Sequence, residues 1–159
     1  MQNPFENTEI LKAEILDNMG ERFPTMDIAG AAVSKRRICV EAPMEILLDV
    51  LEYAVQELGF DHLCTITGLD TGDHFEFIYH IAGPKGVVIN LNCKTERGDG
   101  VVIPSVLPIY HGATFYEREL ESLLGVKVEG LPEGRQYPLP DNWPAGEYPM
   151  RKDWKSREC

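Results

Sequence analysis

Residues 62–95 read HLCTITGLDTGDHFEFIYHIAGPKGVVINLNCKT, and this stretch decides the fold class. Its first part is rich in β-branched residues and ends in a DTGD turn, and GPKG marks a second turn. The two later parts alternate apolar and other residues, and one face of them would carry Phe75, Phe77, Tyr79, Ile81, Val87, Ile89, Leu91 and Cys93. Three short strands joined by tight turns predict an antiparallel meander.

Three segments with helical periodicity surround these strands. The segment 7–20 has Asn7 or Thr8 as a predicted N-cap and Gly20 as its stop. The segment 43–59 has the strongest pattern, with Pro43 in its first turn and Gly59 at its end. Its predicted apolar stripe consists of Met44, Leu47, Leu48, Leu51, Val55 and Leu58. The segment 113–125 ends at Gly125 and places Tyr116, Leu120, Leu123 and Leu124 on one stripe.

Two weaker apolar segments complete the domain. In RRICVEA, Ile38 and Val40 alternate with polar neighbours, as expected of an edge strand. The segment IPSVLPIYHG, residues 103–112, is interrupted by proline and is interpreted as a connection across the domain. The sequence therefore predicts an α+β fold, with helices packed on a small, mainly antiparallel sheet.

The C-terminal segment has a different composition. LPEGRQYPLPDNWPAGEYPMRKDW, residues 131–154, holds both tryptophans and five of the eleven prolines. We therefore divide the chain into an α+β domain, residues 1–130, and an extended tail, residues 131–159. Three arrangements of the tail are open: binding to another protein, folding back on its own domain, and wrapping around a sister copy.

Charge excludes some classes of partner. The formal net charge is −11, and because residues 131–159 hold five basic and five acidic side chains, the whole excess lies in residues 1–130. Such a chain is not expected to bind nucleic acid or anionic lipid through a basic surface. No apolar run approaches the length of a membrane span. We expect membrane association only through a partner.

Motifs for catalysis or for a cofactor are missing from the sequence. The cysteines have no CxxC spacing, which predicts no metal or iron–sulfur site. Neither GxSxG nor a nucleotide-binding glycine motif occurs. His74 and His80 share one face of a predicted strand, roughly 20 Å apart at about 3.3 Å per residue, so they cannot bind one metal. The alternative hypothesis is a free-standing acid–base enzyme that uses His74, His80 or His111.

The sequence YEREL, residues 116–120, places charge beside the apolar stripe of the last helix. Glu117 and Glu119 flank the stripe on opposite sides, and Arg118 points nearly away from it. One interpretation is a solvated helix face with an Arg118–Glu121 pair. The other is a docking face whose carboxylates pair with arginines of a neighbouring chain.

Several separated motifs, in order, resemble one family. They are Tyr79 in a hairpin strand, Pro104–Ser105, the Glu117–Arg118–Glu119 helix followed by Gly125–Val126, and PMRKD at residues 149–153. Over residues 60–154 the chain is similar to the 30-kDa subunit of respiratory complex I, also called the C subunit of NADH-quinone oxidoreductase. That family includes the equivalent subunit of membrane-bound, energy-converting nickel–iron hydrogenases. The chain departs from the respiratory members of the family at Ser122 and Leu131. Its C-terminal sequence resembles that of the hydrogenase members at least as well.

The resemblance implies a subunit that binds no cofactor or metal and has no catalytic residue. It would clamp the large catalytic subunit (complex I 49-kDa type or hydrogenase large-subunit type) and join it to the neighbouring iron–sulfur subunit. Its place would be the cytoplasmic side of the cell membrane, held there through the complex. The residues implied at the partner interface are Glu117, Arg118, Glu119, Tyr137, Trp143, Tyr148, Arg151, Lys152 and Trp154. Quinone reduction and hydrogen evolution are both open as the end reaction.

Overall fold

The predicted meander forms the larger part of one five-stranded sheet. A computed structural model describes residues 6–156 of the chain. Its strands are β1 (Asp27–Val33), β2 (Arg37–Glu41), β3 (His62–Asp70), β4 (His74–Ala82) and β5 (Val88–Glu96), in the order β1-β2-β5-β4-β3. β3, β4 and β5 are antiparallel neighbours. The prediction of an α+β fold with a mainly antiparallel sheet is confirmed.

The prediction that residues 37–41 form an edge strand is wrong. β2 lies inside the sheet, antiparallel to β1 and parallel to β5. Ile38 and Val40 are buried, whereas Arg37 and Cys39 are exposed. The residues alternate in sequence because one face of the strand is covered and the other face is open. An interior strand of a sheet with one open face shows the same alternation as an edge strand.

The three predicted helices are present with different boundaries. They are α1 (Glu6–Arg22), α2 (Leu47–Gln56) and α3 (Thr114–Leu124). Asn7 and Thr8 lie inside α1 rather than at its N-cap, and the helix continues beyond Gly20, since one glycine costs a helix only about 1 kcal/mol. Gly125 caps α3 as predicted, with φ of 72°.

The apolar stripe of α2 is narrower than the sequence predicted. A 3-10 turn, Met44–Ile46, precedes the helix, which begins only at Leu47. The buried residues of α2 are Leu47, Val50, Leu51 and Ala54, whereas Leu48 is 36% exposed. The prediction omitted Val50 and Ala54, and its members Met44, Val55 and Leu58 are only partly buried at the edge of the core.

The core lies on one face of the sheet and is covered by the helices. Phe75, Phe77, Tyr79 and Ile81 are all buried on the same face of β4. α3 packs so closely on β3 that a Cβ at Gly68 would lie 2.5 Å from a methyl carbon of Leu120. This contact fixes α3 beside the outer strand of the sheet.

A second, two-stranded sheet connects α3 to the rest of the domain. β6 (Val102–Pro104) pairs in parallel with β7 (Lys127–Glu129). Part of the segment interpreted as a connection is therefore a strand, too short and too rich in proline to show alternation. β7 leads directly into the tail. None of the helices in the described part of the chain is long and apolar enough to cross a bilayer.

Candidate partner interface

The tail lies against its own domain. Residues 131–156 contain neither helix nor strand, in agreement with the predicted irregular backbone. They do not project into solvent, because the Met150 N–H donates to the carbonyl oxygen of Leu123 at the end of α3, 3.1 Å away. In the single chain the tail is thus folded back on its own domain, and its binding to another protein or to a sister copy stays a prediction.

Arg151 is the most extensively bound residue of the tail. Its Nε donates to the carbonyl oxygen of Leu124 at 2.6 Å, Nη2 donates to the carbonyl oxygen of Gly98 at 3.1 Å, and Nη1 pairs with Asp99 at 2.6 Å. The guanidinium also lies over two aromatic rings, 4.7 Å from the centroid of Tyr148 and 5.5 Å from that of Phe75. The donors of Arg151 thus bind this chain, and its expected contact with carboxylates of a partner stays a prediction.

A buried carboxylate, Asp70, holds the segment that follows Arg151. Arg97 Nε donates to both oxygens of Asp70, at 2.9 and 3.0 Å, and the N–H groups of Gly72 and Lys152 donate at 2.8 and 2.9 Å. Burial alone would raise the pKa of Asp70. The hydrogen bonds from Arg97, Lys152 and Gly72 outweigh that effect and lower the pKa to about 2.

Lys152 and Asp153 are also bound within the chain. Lys152 Nζ donates to the carbonyl oxygen of Thr71 at 2.9 Å, and the residue is exposed, so its expected pairing with a partner carboxylate stays a prediction. Asp153 pairs with Arg97 at 2.6 Å. Arg97 therefore joins Asp70 on the domain to Asp153 on the tail.

The aromatic residues of the tail do not fill separate pockets. The rings of Trp143 and Trp154 contact each other, with centroids 6.0 Å apart, and Trp143 Nε1 donates to the carbonyl oxygen of Glu147 at 2.8 Å. Tyr148 covers Gly125, where any Cβ would collide with the Tyr148 ring. All three rings are half-buried within this chain, so each keeps an open side.

Phe115 and Tyr137 form an exposed aromatic pair. Their ring centroids are 5.1 Å apart in an edge arrangement, and the two residues are 61% and 42% exposed. The N–H of Tyr137 donates to Ser122 Oγ at 3.2 Å, which fixes the pair beside α3. Phe115 was not among the interface residues expected from the sequence. The sequence did contain a sign of this role, because Phe115 is an aromatic residue that lies outside the apolar stripe of an amphipathic helix.

The three charged residues of α3 have different environments. Glu117 is 2% exposed, accepting from the Val106 N–H at 2.6 Å and from Ser105 Oγ at 2.8 Å, and burial raises its pKa. Glu117 is therefore covered by its own chain, and its expected contact with a partner stays a prediction. Arg118 donates to the carbonyl oxygen of Pro132 at 2.8 Å and so ties α3 to the tail. Glu119 is half-exposed.

A cleft runs between the tail and α3. Its deeper part has a volume of about 510 Å³ and includes Arg118, Ser122, Trp143 and Tyr148 in its walls. An adjoining hollow of about 540 Å³ shares Arg118 and reaches the Phe115–Tyr137 pair. The predicted residues Arg118, Tyr137, Trp143 and Tyr148 are thus brought together on one surface, which we call the α3–tail surface.

The histidines of the alternative hypothesis are not brought together. His74 contacts Thr71 and Glu76 at one end of β4, and His80 contacts Thr67 and Asn90 near the other end. His111 lies in the exposed turn before α3. Within residues 6–156, no group of three or more His, Cys, Asp or Glu side chains has a geometry that could hold a metal ion.

Comparisons with known proteins agree with this architecture. The C subunit of the F(420)H(2) dehydrogenase of Methanosarcina mazei is 35% identical over 144 residues, which cover 89% of this chain and 90% of that protein. The beta subunit of the membrane-bound hydrogenase of Pyrococcus furiosus is 30% identical over 152 residues, covering 91% of this chain and 87% of that protein.

A solved structure and a family model extend the comparison. A chain in the structure of the membrane-bound sulfane sulfur reductase, an archaeal respiratory membrane complex, matches 91% of this chain and 85% of its own length, with a TM-score of 0.80 and 26% identity. Residues 40–158 match the model of the respiratory-chain NADH dehydrogenase, 30 Kd subunit. The chain therefore belongs to this 30 Kd subunit family and is a subunit of an oxidoreductase complex.

Proposed function

We propose that this chain is a cofactor-free assembly subunit in the cytoplasmic arm of a complex I-like or hydrogenase-like membrane complex. It clamps the large catalytic subunit and joins that subunit to the neighbouring iron–sulfur subunit. Membrane association then comes through the complex. The electrons pass through the partners, and this chain holds the partners together.

The α3–tail surface is the observation that carries the proposal. Phe115 and Tyr137 expose adjacent aromatic rings there, and the open sides of Trp143 and Tyr148 lie along the adjoining cleft. Aromatic residues supply much of the binding energy in protein interfaces, because they bury a large area with few rotatable bonds. Arg118, which lines both parts of the cleft, supplies a polar contact at the rim of this surface.

Because the tail is folded back on its own domain, the partner would bind a surface that is already ordered. Contacts of Arg151, Lys152 and Asp153 already order the tail in the free chain. Binding therefore requires less ordering of the backbone, and a preformed surface loses less conformational entropy than a disordered segment. In this proposal the partner binds the outer side of an ordered tail.

Co-purification tests the proposal. A tagged chain is isolated from membranes of the source organism in mild detergent, and we expect a large catalytic subunit and an iron–sulfur subunit to accompany it. The double substitution Phe115→Ala and Tyr137→Ala should weaken recovery of the partners, whereas Val102→Ala, a change at a 50% exposed residue of β6, should not. Recovery of the chain as a lone monomer would contradict the proposal.

Further measurements test the finer parts of the proposal. The purified chain should show no visible absorption from a redox centre and no bound metal by mass spectrometry of the elements. Light scattering should give a monomer, since a dimer through the tail would favour the sister-copy arrangement instead. Assays of the intact complex for quinone reduction and for hydrogen evolution would decide between the two end reactions.

A further inference from the structure

Among residues 6–156, no strand lies beside the outer edge of β3. β3 ends the order of the five-stranded sheet, with β4 as its single strand neighbour. No backbone group of residues 65–69 forms a backbone hydrogen bond with any described residue outside β4. Half of the N–H and C=O groups of an edge strand point outward, where they can pair with another chain.

An apolar groove follows this edge. Residues 65–68 form one wall, and α3 with Met150 of the tail forms the other, enclosing about 240 Å³. Leu123 lines the groove from the helix, and Met150 is 55% exposed at its rim. A strand added to β3 would direct alternate side chains toward Leu123 and Met150.

Residues 65–70 of β3 pair with β4 in an unbroken register, because the one register shift of this pair lies before them, between Leu63 and Thr65. The sequence of β3, HLCTITGLD, contains no lysine, arginine or proline, and Leu69 is 39% exposed. The opposite edge strand, β1, has a longer irregular stretch, with its shift of register between Asp27 and Ala32. An edge without protecting charges, beside an apolar groove, favours addition of an extended segment.

Charge indicates which segment fits. Glu119 is the one ionisable residue among the described residues that line the groove. A second copy of this chain would bring a like carboxylate and a net charge of −11 to the same place. A segment of a different protein that carries a basic side chain is complementary to the groove.

We propose that an extended segment of a neighbouring subunit adds to the edge of β3 in the assembled complex. Its alternate apolar side chains fill the groove beside Leu123 and Met150, and a basic side chain pairs with Glu119. This inference rests on the proposed function, because the segment must come from another subunit. It assigns that subunit a second contact, separate from the Phe115–Tyr137 pair.

Amide hydrogen exchange tests the inference. The exchange of residues 65–69 is compared in the isolated chain and in the complex purified through the tagged chain. We expect the outward-facing amides of β3 to exchange at least about tenfold more slowly in the complex.

Two substitutions with matched controls accompany this measurement. Met150→Glu and Glu119→Lys should each reduce the protection of β3, whereas Val102→Glu and Glu129→Lys, at exposed residues of the small sheet, should leave it unchanged. Circular dichroism of each variant shows whether it is folded. If Met150→Glu does not fold, Glu119→Lys alone tests the protection of β3.

The outcomes separate the two proposals. Equal exchange of β3 in the free chain and in an intact complex overturns this inference and leaves the proposed function standing. Recovery of the chain without partners overturns both. Protection of β3 in the isolated chain, together with a dimer in light scattering, identifies a second copy as the occupant and also overturns the inference.

Discussion

Two buried carboxylates of this chain have pKa values shifted in opposite directions. Burial by itself would raise both pKa values. It does raise the pKa of Glu117, whose hydrogen-bond donors, the Val106 N–H and the Ser105 hydroxyl, are neutral. At Asp70, the charged Arg97 and two backbone N–H groups reverse the shift and give a pKa of about 2. The bonded partners of each carboxylate, and not its burial alone, therefore decide the direction of its pKa shift.

Removing the charge of Asp70 should destabilise the chain. Asp70→Asn replaces the buried carboxylate that accepts from Arg97, Gly72 and Lys152 with a neutral amide, so we expect the free energy of unfolding at pH 7 to fall by about 3 kcal/mol. Because the folded pKa, about 2, lies below the ordinary value of 3.8, the contribution of Asp70 is present above pH 3.8 and is lost as the pH falls toward 2. Urea unfolding of both proteins at several pH values measures this difference.

A surface pair provides the control for that measurement. Asp141 pairs with Arg135 at 3.0 Å, but both side chains are largely exposed. Asp141→Asn should cost less than about 1 kcal/mol, as exposed ion pairs usually do. An equal loss for the two substitutions would show that Asp70 has no special role.

The contact between α3 and the tail depends on one glycine at the end of the helix. Gly125 has φ of 72°, in the left-handed region, and the ring of Tyr148 lies where a Cβ would be. The sequence predicted the helix stop, because glycine commonly ends helices. It carried no sign of the second role, in which the missing side chain makes room for Tyr148.

Gly125→Ala should therefore loosen the tail as well as strain the helix end. We expect about 1–2 kcal/mol of loss from the left-handed backbone, and a further loss because Tyr148 is displaced. Gly146→Ala is the matched control, since Gly146 has φ of 79° and a Cβ there would have no atom within 4 Å. Chymotrypsin should cut the tail faster in Gly125→Ala than in Gly146→Ala, and equal rates would refute the steric role.

At the scale of the whole molecule, Arg151 joins parts of the chain that are far apart in sequence. It connects the end of α3 at Leu124, the loop at Gly98 and Asp99, and the core ring of Phe75. Its side chain is 11% exposed. One residue of the tail therefore contacts three separate elements of the domain.

Arg151→Lys should release the tail without unfolding the domain. Lysine keeps the charge but cannot reach all three acceptors or stack as a planar group. We expect docking of the tail to weaken by about 2 kcal/mol, with a red shift of tryptophan fluorescence and little change in circular dichroism. Arg135→Lys, at a side chain that is 79% exposed, should change neither signal. If Arg151→Lys no longer unfolded cooperatively, the domain would need the docked tail in order to fold, and the prediction would be wrong.

Sequence alone was sufficient for the elements whose signals are local. The alternation in residues 62–95 determined three strands and their order, and the periodicity of residues 113–125 determined α3 and its stop at Gly125. These patterns involve neighbours within a few residues, where the backbone geometry relates spacing directly to a face. The family motifs add to this because their order along the chain is itself a sequence property.

Only the tertiary structure decided where the charged residues and the tail are placed. The inner position of β2, the burial of Glu117 against the residues that follow β6, and the binding of Arg151 and Lys152 to their own domain all depend on pairs distant in the chain. Lys152, for example, bonds Asp70 across 82 residues. A charged side chain has the same sequence signature whether its partner is solvent, another subunit or its own fold. Its environment exists only once the chain has folded, and that environment decides its partner.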